Sequence, residues 1–127
     1  MGRPTPAAGQ LALRHWGEAN ARAWPRFAEL LSPELVYEVP QTRERIRGSE
    51  GYLDFFRTWP GEWRADVVNL IADEHQAVTV INFVTPTEQM TGITFFEVAA
   101  GRIARVTDHW PSPYEPPPRA SRHVERY

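Results

Sequence analysis

The sequence predicts an α+β domain, with helices on one face of a curved antiparallel sheet, and three observations carry that prediction. Helical periodicity is confined to the first half of the chain. Four β-rich runs then follow with no further helix between them. The joints between those runs, "DEHQ", "TPTE" and "AAGR", are short and either polar or glycine-bearing, which suits hairpins. Helices and hairpin-linked strands segregated in this way pack as two layers, and a sheet folded around helices leaves a concavity between them.

Taken in order, residues 1–9 are rich in Pro, Gly and Ala and are expected to fray. From Gln10 to Ala23, Ala12, Trp16, Ala19 and Ala23 recur at helical spacing with charged residues between them. "WPRFAELLS" restarts a helix, because Pro25 suits a first turn and Phe27, Leu30 and Leu31 line one face; Ser32-Pro33 then stops it. "ELVYEVP" alternates Leu35, Tyr37 and Val39 with Val36, Glu38 and Pro40 and reads as a first strand. "QTRERIRGS" reads as a charged connection. A third helix follows, with Tyr52, Phe55, Phe56 and Trp59 as one aromatic stripe that Pro60-Gly61 ends. The remaining strands are "EWRADVVNLIAD", "QAVTVINFVT", "EQMTGITFFEVAA" and "RIARVTDHWP". One domain is therefore expected over residues 10–115, with an extended Pro/Arg-rich tail over 116–127.

Composition narrows the function. A chain of 127 residues with 42% hydrophobic and 12% aromatic residues has one globular core and much ring mass to place. The net charge of −2 supplies no basic field, so neither nucleic acid nor a membrane surface is an expected partner. No lysine occurs, which excludes Schiff-base chemistry and covalent pyridoxal phosphate; no cysteine occurs, which excludes thiol nucleophiles and thiolate metal sites. The absence of cysteine fits a cytoplasmic setting, and "MGRPTPAAGQ" has no long apolar stretch to act as a signal or span. The four histidines lack metal-ligand spacing, and no phosphate-cradling or nucleophile-elbow motif occurs, so no metal and no cofactor are expected.

The chemistry concentrates at "ARVTDHWPSP". Strand alternation puts Ile103, Arg105, Thr107 and His109 on one face and Ala104, Val106, Asp108 and Trp110 on the other. Asp108 and His109 therefore cannot pair with each other. The second face is the more apolar and is expected to point inward, leaving Asp108 in or near the apolar interior, either hydrogen-bonded or wet at the strand end or as a desolvated carboxylate facing a pocket, whose pKa burial would raise. His109 is expected at solvent or at a subunit contact, His15 on the polar flank of the first helix, and His75 in a turn. Tyr37 is the best hydroxyl donor near the core. Trp110, Trp59, Trp63, Tyr52, Phe56 and Phe95 form the candidate ligand-binding set. The arginines of "QTRERIR" read either as an anion clamp or as a solvated loop partly neutralised by Glu44.

With "GITFFEVAAGRIARVTDHW" preceded by "VYEVPQTRERIRG" and "WPGEW", residues 10–115 resemble the nuclear transport factor 2-like superfamily and, within it, the SnoaL-like group. The resemblance rests on the strand Ile93–Val98, the hairpin Gly101-Arg102-Ile103, the ending "DHWP", and the order of these motifs. It implies a cone-shaped barrel with a deep pocket, often dimeric through the sheet, in a group that includes polyketide cyclases, steroid isomerases and binding domains. In several catalytic members an acid on the late strands is a general acid or base, and Asp108 resembles it. The Tyr-plus-acid oxyanion pair of the steroid isomerases has no clear counterpart in the sequence. Two readings follow. One is a proton-transfer enzyme using Asp108 and Tyr37 on a hydrophobic aromatic or polycyclic substrate; the other is a non-catalytic ligand-binding or dimerisation domain. The first requires Asp108 to be buried beside a cavity, near a tyrosine or tryptophan donor.

Overall fold

Residues 4–127 are described by a computed structural model. The first helix, α1 (Ala7–Asn20), begins before Gln10, so part of the segment expected to fray is helical; Met1–Arg3 lie outside the described residues. Ala8, Ala12, Trp16 and Ala19 form its buried stripe. Gly9 lets the helix press onto the sheet, since a Cβ there would sit 2.9 Å from the Ala72 Cβ and 2.8 Å from Thr5 Cγ2. Arg22, at φ 58°, turns the chain out of the helix short of Ala23. The second helix, α2 (Trp24–Glu29), has Pro25 in its first turn and ends earlier than expected. Leu31 belongs instead to the first strand, β1 (Leu31–Val39), where it pairs with Ile103; a tertiary partner overrides the local helical pattern.

"QTRERIRGS" contains a short second strand, β2 (Glu44–Arg47), rather than only a connection, and it pairs antiparallel with β1. The third helix, α3 (Ser49–Arg57), starts after Gly48 at φ 93°; Tyr52 and Phe56 are buried on it, and Trp59 lies past its end. Then come β3 (Arg64–Ala72), β4 (Gln76–Val84), β5 (Gln89–Ala99) and β6 (Arg102–His109). The β5–β6 joint is a two-residue turn, Ala100-Gly101, with both φ angles positive at 51° and 74°, the conformation that matches strand twist in tight hairpins.

The strand order is β2-β1-β6-β5-β4-β3 in one open sheet. The expected all-antiparallel sheet is corrected at one pair: β1 and β6 run parallel, so the sheet is mixed. Hairpins fix direction between chain neighbours, whereas β1 and β6 meet only after the intervening elements have folded.

The concave face is built in rungs. Ala77, Phe96, Val106 and Tyr37 lie opposite one another across four strands. The adjacent rung is polar: Thr79 opposes Thr94, and Thr94 opposes Asp108. Beyond it Ile81 opposes Gly92. A register shift between Glu97 and Val98 changes parity near the start of β6, so Ile103 is buried rather than outward. From Val106 onward the alternation is regular.

Candidate functional site

A cavity of about 320 Å3 lies on the concave face. Its walls are aromatic, with Phe55 and Phe56 from α3, Trp59 and Trp63 from the α3–β3 joint, Phe83 from β4 and Trp110 beyond β6. Deep in it are the buried side chains of Tyr37 and Asp108; Thr42 and Glu44, both exposed, lie at its mouth.

Asp108 is 3% exposed. Its Oδ2 accepts a hydrogen bond from the Tyr37 hydroxyl at 2.6 Å and its Oδ1 one from the Thr94 hydroxyl at 2.7 Å. Among the described residues no arginine or histidine forms an ion pair with it. Burial pushes its carboxyl above the ordinary range, and the Thr94 and Tyr37 hydrogen bonds oppose that rise. Tyr37 is driven far above an ordinary phenol by burial first and by the Asp108 charge second, so it keeps its proton and donates. Among the described residues this carboxylate has no ion-pair partner; two hydroxyls hold it against apolar walls, and desolvation raises its proton affinity.

The walls are held from behind. Trp63 stacks on Phe83 at 5.6 Å, lies against Phe56 at 5.9 Å, and carries the Arg22 guanidinium 4.0 Å from its ring centre. Trp110 rests where Gly92 has no side chain; a Cβ there would lie 2.9 Å from the indole. The Gln41 side-chain amide accepts from the Trp110 N–H at 2.5 Å and donates to its carbonyl at 3.1 Å, standing in for a strand neighbour beyond the end of β1.

Of the side chains singled out in the sequence, Asp108, Tyr37, Trp110, Trp59, Trp63 and Phe56 meet in this cavity. Two of the ligand-binding candidates do not. Phe95 is 45% exposed and lies on the opposite face, edge-on to His109; next to the inward Phe96, it cannot share that face. Tyr52 is sealed behind the wall, with its hydroxyl 2.6 Å from His15 Nε2. His15 is itself corrected: it is wholly buried among Trp16, Phe27, Tyr52, Phe56 and Phe96, and burial lowers its pKa to about 3. The arginines of β2 do not line the cavity, whereas Glu44 does.

Thr79 and Thr94 went unrecognised in the sequence, although their alternation with Ile81 and Phe96 marks inward positions. Thr94 fixes Asp108, and Thr79 accepts the Trp16 indole N–H at 3.0 Å. Phe83 and Phe55 complete the walls; nothing distinguished them from core residues in the sequence. Among the described residues no group of three or more His, Asp or Glu is placed to hold a metal. No helix among them is long and apolar enough to cross a membrane.

Fold and site together define a helix-covered curved-sheet domain with a single deep carboxylate in an aromatic pocket. Residues 12–106 match the SnoaL-like domain, and the chain belongs to that family. A crystal structure of a proposed ketosteroid isomerase from Kribbella flavida is 42% identical, covering 95% of this chain and 90% of that one at a TM-score of 0.90. Two more distant structures share the fold. A proposed SnoaL-like polyketide cyclase from Shewanella putrefaciens is 13% identical over 84% of this chain and 91% of its own, at a TM-score of 0.73. An epoxide hydrolase from M. tuberculosis resembling the LEH type is 21% identical over 83% of each chain, at 0.71. No curated protein matches the sequence.

Proposed function

We propose that the chain is a proton-transfer enzyme of the isomerase or cyclase type, working without a cofactor on a carbonyl compound with a hydrophobic ring system. The observation that carries this reading is the Asp108–Tyr37 pair, buried, unpaired with any cation and facing the cavity. The Asp108 carboxylate takes a proton from the carbon beside the substrate carbonyl, and the C–H electron pair becomes an enolate. In the resting site the Tyr37 proton is committed to Asp108. Once Asp108 is protonated it becomes a weaker acceptor, and the Tyr37 O–H can turn to the new negative charge on the enolate oxygen. Asp108 then returns the proton to another carbon of the conjugated system, or the enolate carbon attacks a second carbonyl of the same molecule and the proton on Asp108 passes to the alkoxide that forms. The cavity is near the lower bound of small-molecule sites, which suits about two or three fused rings. The similarity to a proposed ketosteroid isomerase supports the same class of reaction.

The test is α-proton exchange of bicyclic ketones in D2O, followed by NMR, with Asp108→Asn and Tyr37→Phe alongside the wild type. Acceleration that Asp108→Asn abolishes while ring binding persists is the expected result. Binding to both forms with no exchange by either overturns catalysis in favour of a ligand-binding domain. We further infer a homodimer through the outer sheet face, where Ile71 and Phe95 are exposed. Light scattering that finds a strict monomer at micromolar concentration refutes it.

A further inference from the structure

Strand parity turns the β1–β2 hairpin against the simplest reading of its charges. Residues opposite one another in a sheet share a face. Glu44 opposes Val39 and Ile46 opposes Tyr37, and both partners are buried on the concave side. Arg45 therefore points the other way, where Glu38 receives both it and Arg105. The sequence holds 14 arginines, yet among the described residues the charged side chains lining the cavity are Asp108 and Glu44. Arg22, the cation nearest the walls, is engaged by the Trp63 ring and by the backbone carbonyls of Ala19 and Trp63. The cavity thus combines two carboxyls with the aromatic rings of Trp59, Trp110 and Phe55, a surrounding that attracts an organic cation and repels an anion.

We infer that the site takes an amine-bearing ring compound, with a protonated amine held at the mouth between Glu44 and the aromatic walls while the ring carbonyl reaches Asp108. This rests on the proton-transfer reading for the carbonyl's role, and the amine preference is measured separately from it. Glu44 is exposed and its side chain is bonded to the Thr42 hydroxyl, so its replacement leaves the core untouched.

The experiment measures binding of 2-aminotetralin, 2-hydroxytetralin and tetralin-2-carboxylate by quenching of indole fluorescence, on the full chain at low and high salt. The amine is expected to bind about tenfold tighter than the alcohol, the carboxylate at least about tenfold weaker, and salt to compress the gap, one unscreened charge contact being worth that much. Glu44→Gln should bring the amine to within about twofold of the alcohol, and Glu44→Lys should move the preference to the carboxylate. Equal binding of all three, or a preference that survives Glu44→Lys, overturns the inference. If neutral ketones exchange their α-protons while the amine holds no advantage, the enzyme reading stands and the amine falls. If the amine preference holds and no ketone exchanges, the reverse is true.

Discussion

Two polar groups lie deep among rings in this molecule, and one of them opens onto the cavity while the other does not. His15 and Asp108 are each hydrogen-bonded by a tyrosine hydroxyl at 2.6 Å, and each is enclosed by aromatic side chains that include Phe56 and Trp16 at the boundary between them. Around His15 the rings close completely: Phe27, Tyr52 and Phe96 leave its Nδ1 with no hydrogen-bond partner. Around Asp108 they stop short, and the cavity opens from Tyr37 and Asp108 toward Thr42 and Glu44. The same chemistry of burial therefore yields a sealed group in one place and, on the proposed reading, a reactive one in the other. Access, more than desolvation, separates them.

That contrast can be broken at either end. The largest expected effect is on chemistry: Asp108→Asn should cost roughly 10²–10⁴-fold in α-proton exchange, since a positioned base contributes about that much. The same change should raise thermal stability, because it removes a carboxyl that burial makes costly. A melting temperature that falls would show Asp108 to be structural. His15→Ala should do the opposite, lowering unfolding free energy in urea by about 3 kcal/mol or more through the void it leaves and the stranded Tyr52 hydroxyl, with ring binding retained.

The pH dependence separates the two groups by sign. His15 is at about 3 in the folded state against about 6.5 unfolded, so the unfolded chain binds the proton first. Stability is therefore lost as pH falls from about 6.5 toward 3, by an amount on the order of 4–5 kcal/mol at most. Asp108 is raised by folding, so it regains stability as pH falls through its folded value. Urea midpoints between pH 7 and 4 should flatten in His15→Gln and steepen in Asp108→Asn. Parallel curves for the two variants would refute the assignment. The smallest expected effect lies outside both regions. Ala100 holds a positive φ of 51° in the β5–β6 turn, and Ala100→Gly should stabilise by about 1 kcal/mol, seen as a rise in melting temperature.

The site was partly legible before any coordinates, for reasons specific to each residue. Asp108 and Trp110 could be placed inward because β6 alternates cleanly after Val106, and Tyr37 because "ELVYEVP" alternates as well. Phe95 could not be placed: Ile93–Val98 is apolar on both faces, and only pairing with Thr107 and Val78 fixes which side each ring takes. His15 was misjudged because a histidine next to Arg14 and three residues before Glu18 looks like surface, and the helix rotates it onto Phe27 and Tyr52.

Legible from the sequence were the order of the three helices and five of the six strands, the hairpins of β3 to β6, and the separation of Asp108 from His109. All of these are set by local periodicity and turn chemistry. It took the packed molecule to show that β1 joins β6 in parallel, that "ERIR" folds into a strand showing its acid to the cavity, and that one ring of aromatic residues closes while its neighbour stays open. Those outcomes depend on partners far apart in the chain and on the volumes of residues that face one another, which no local pattern records.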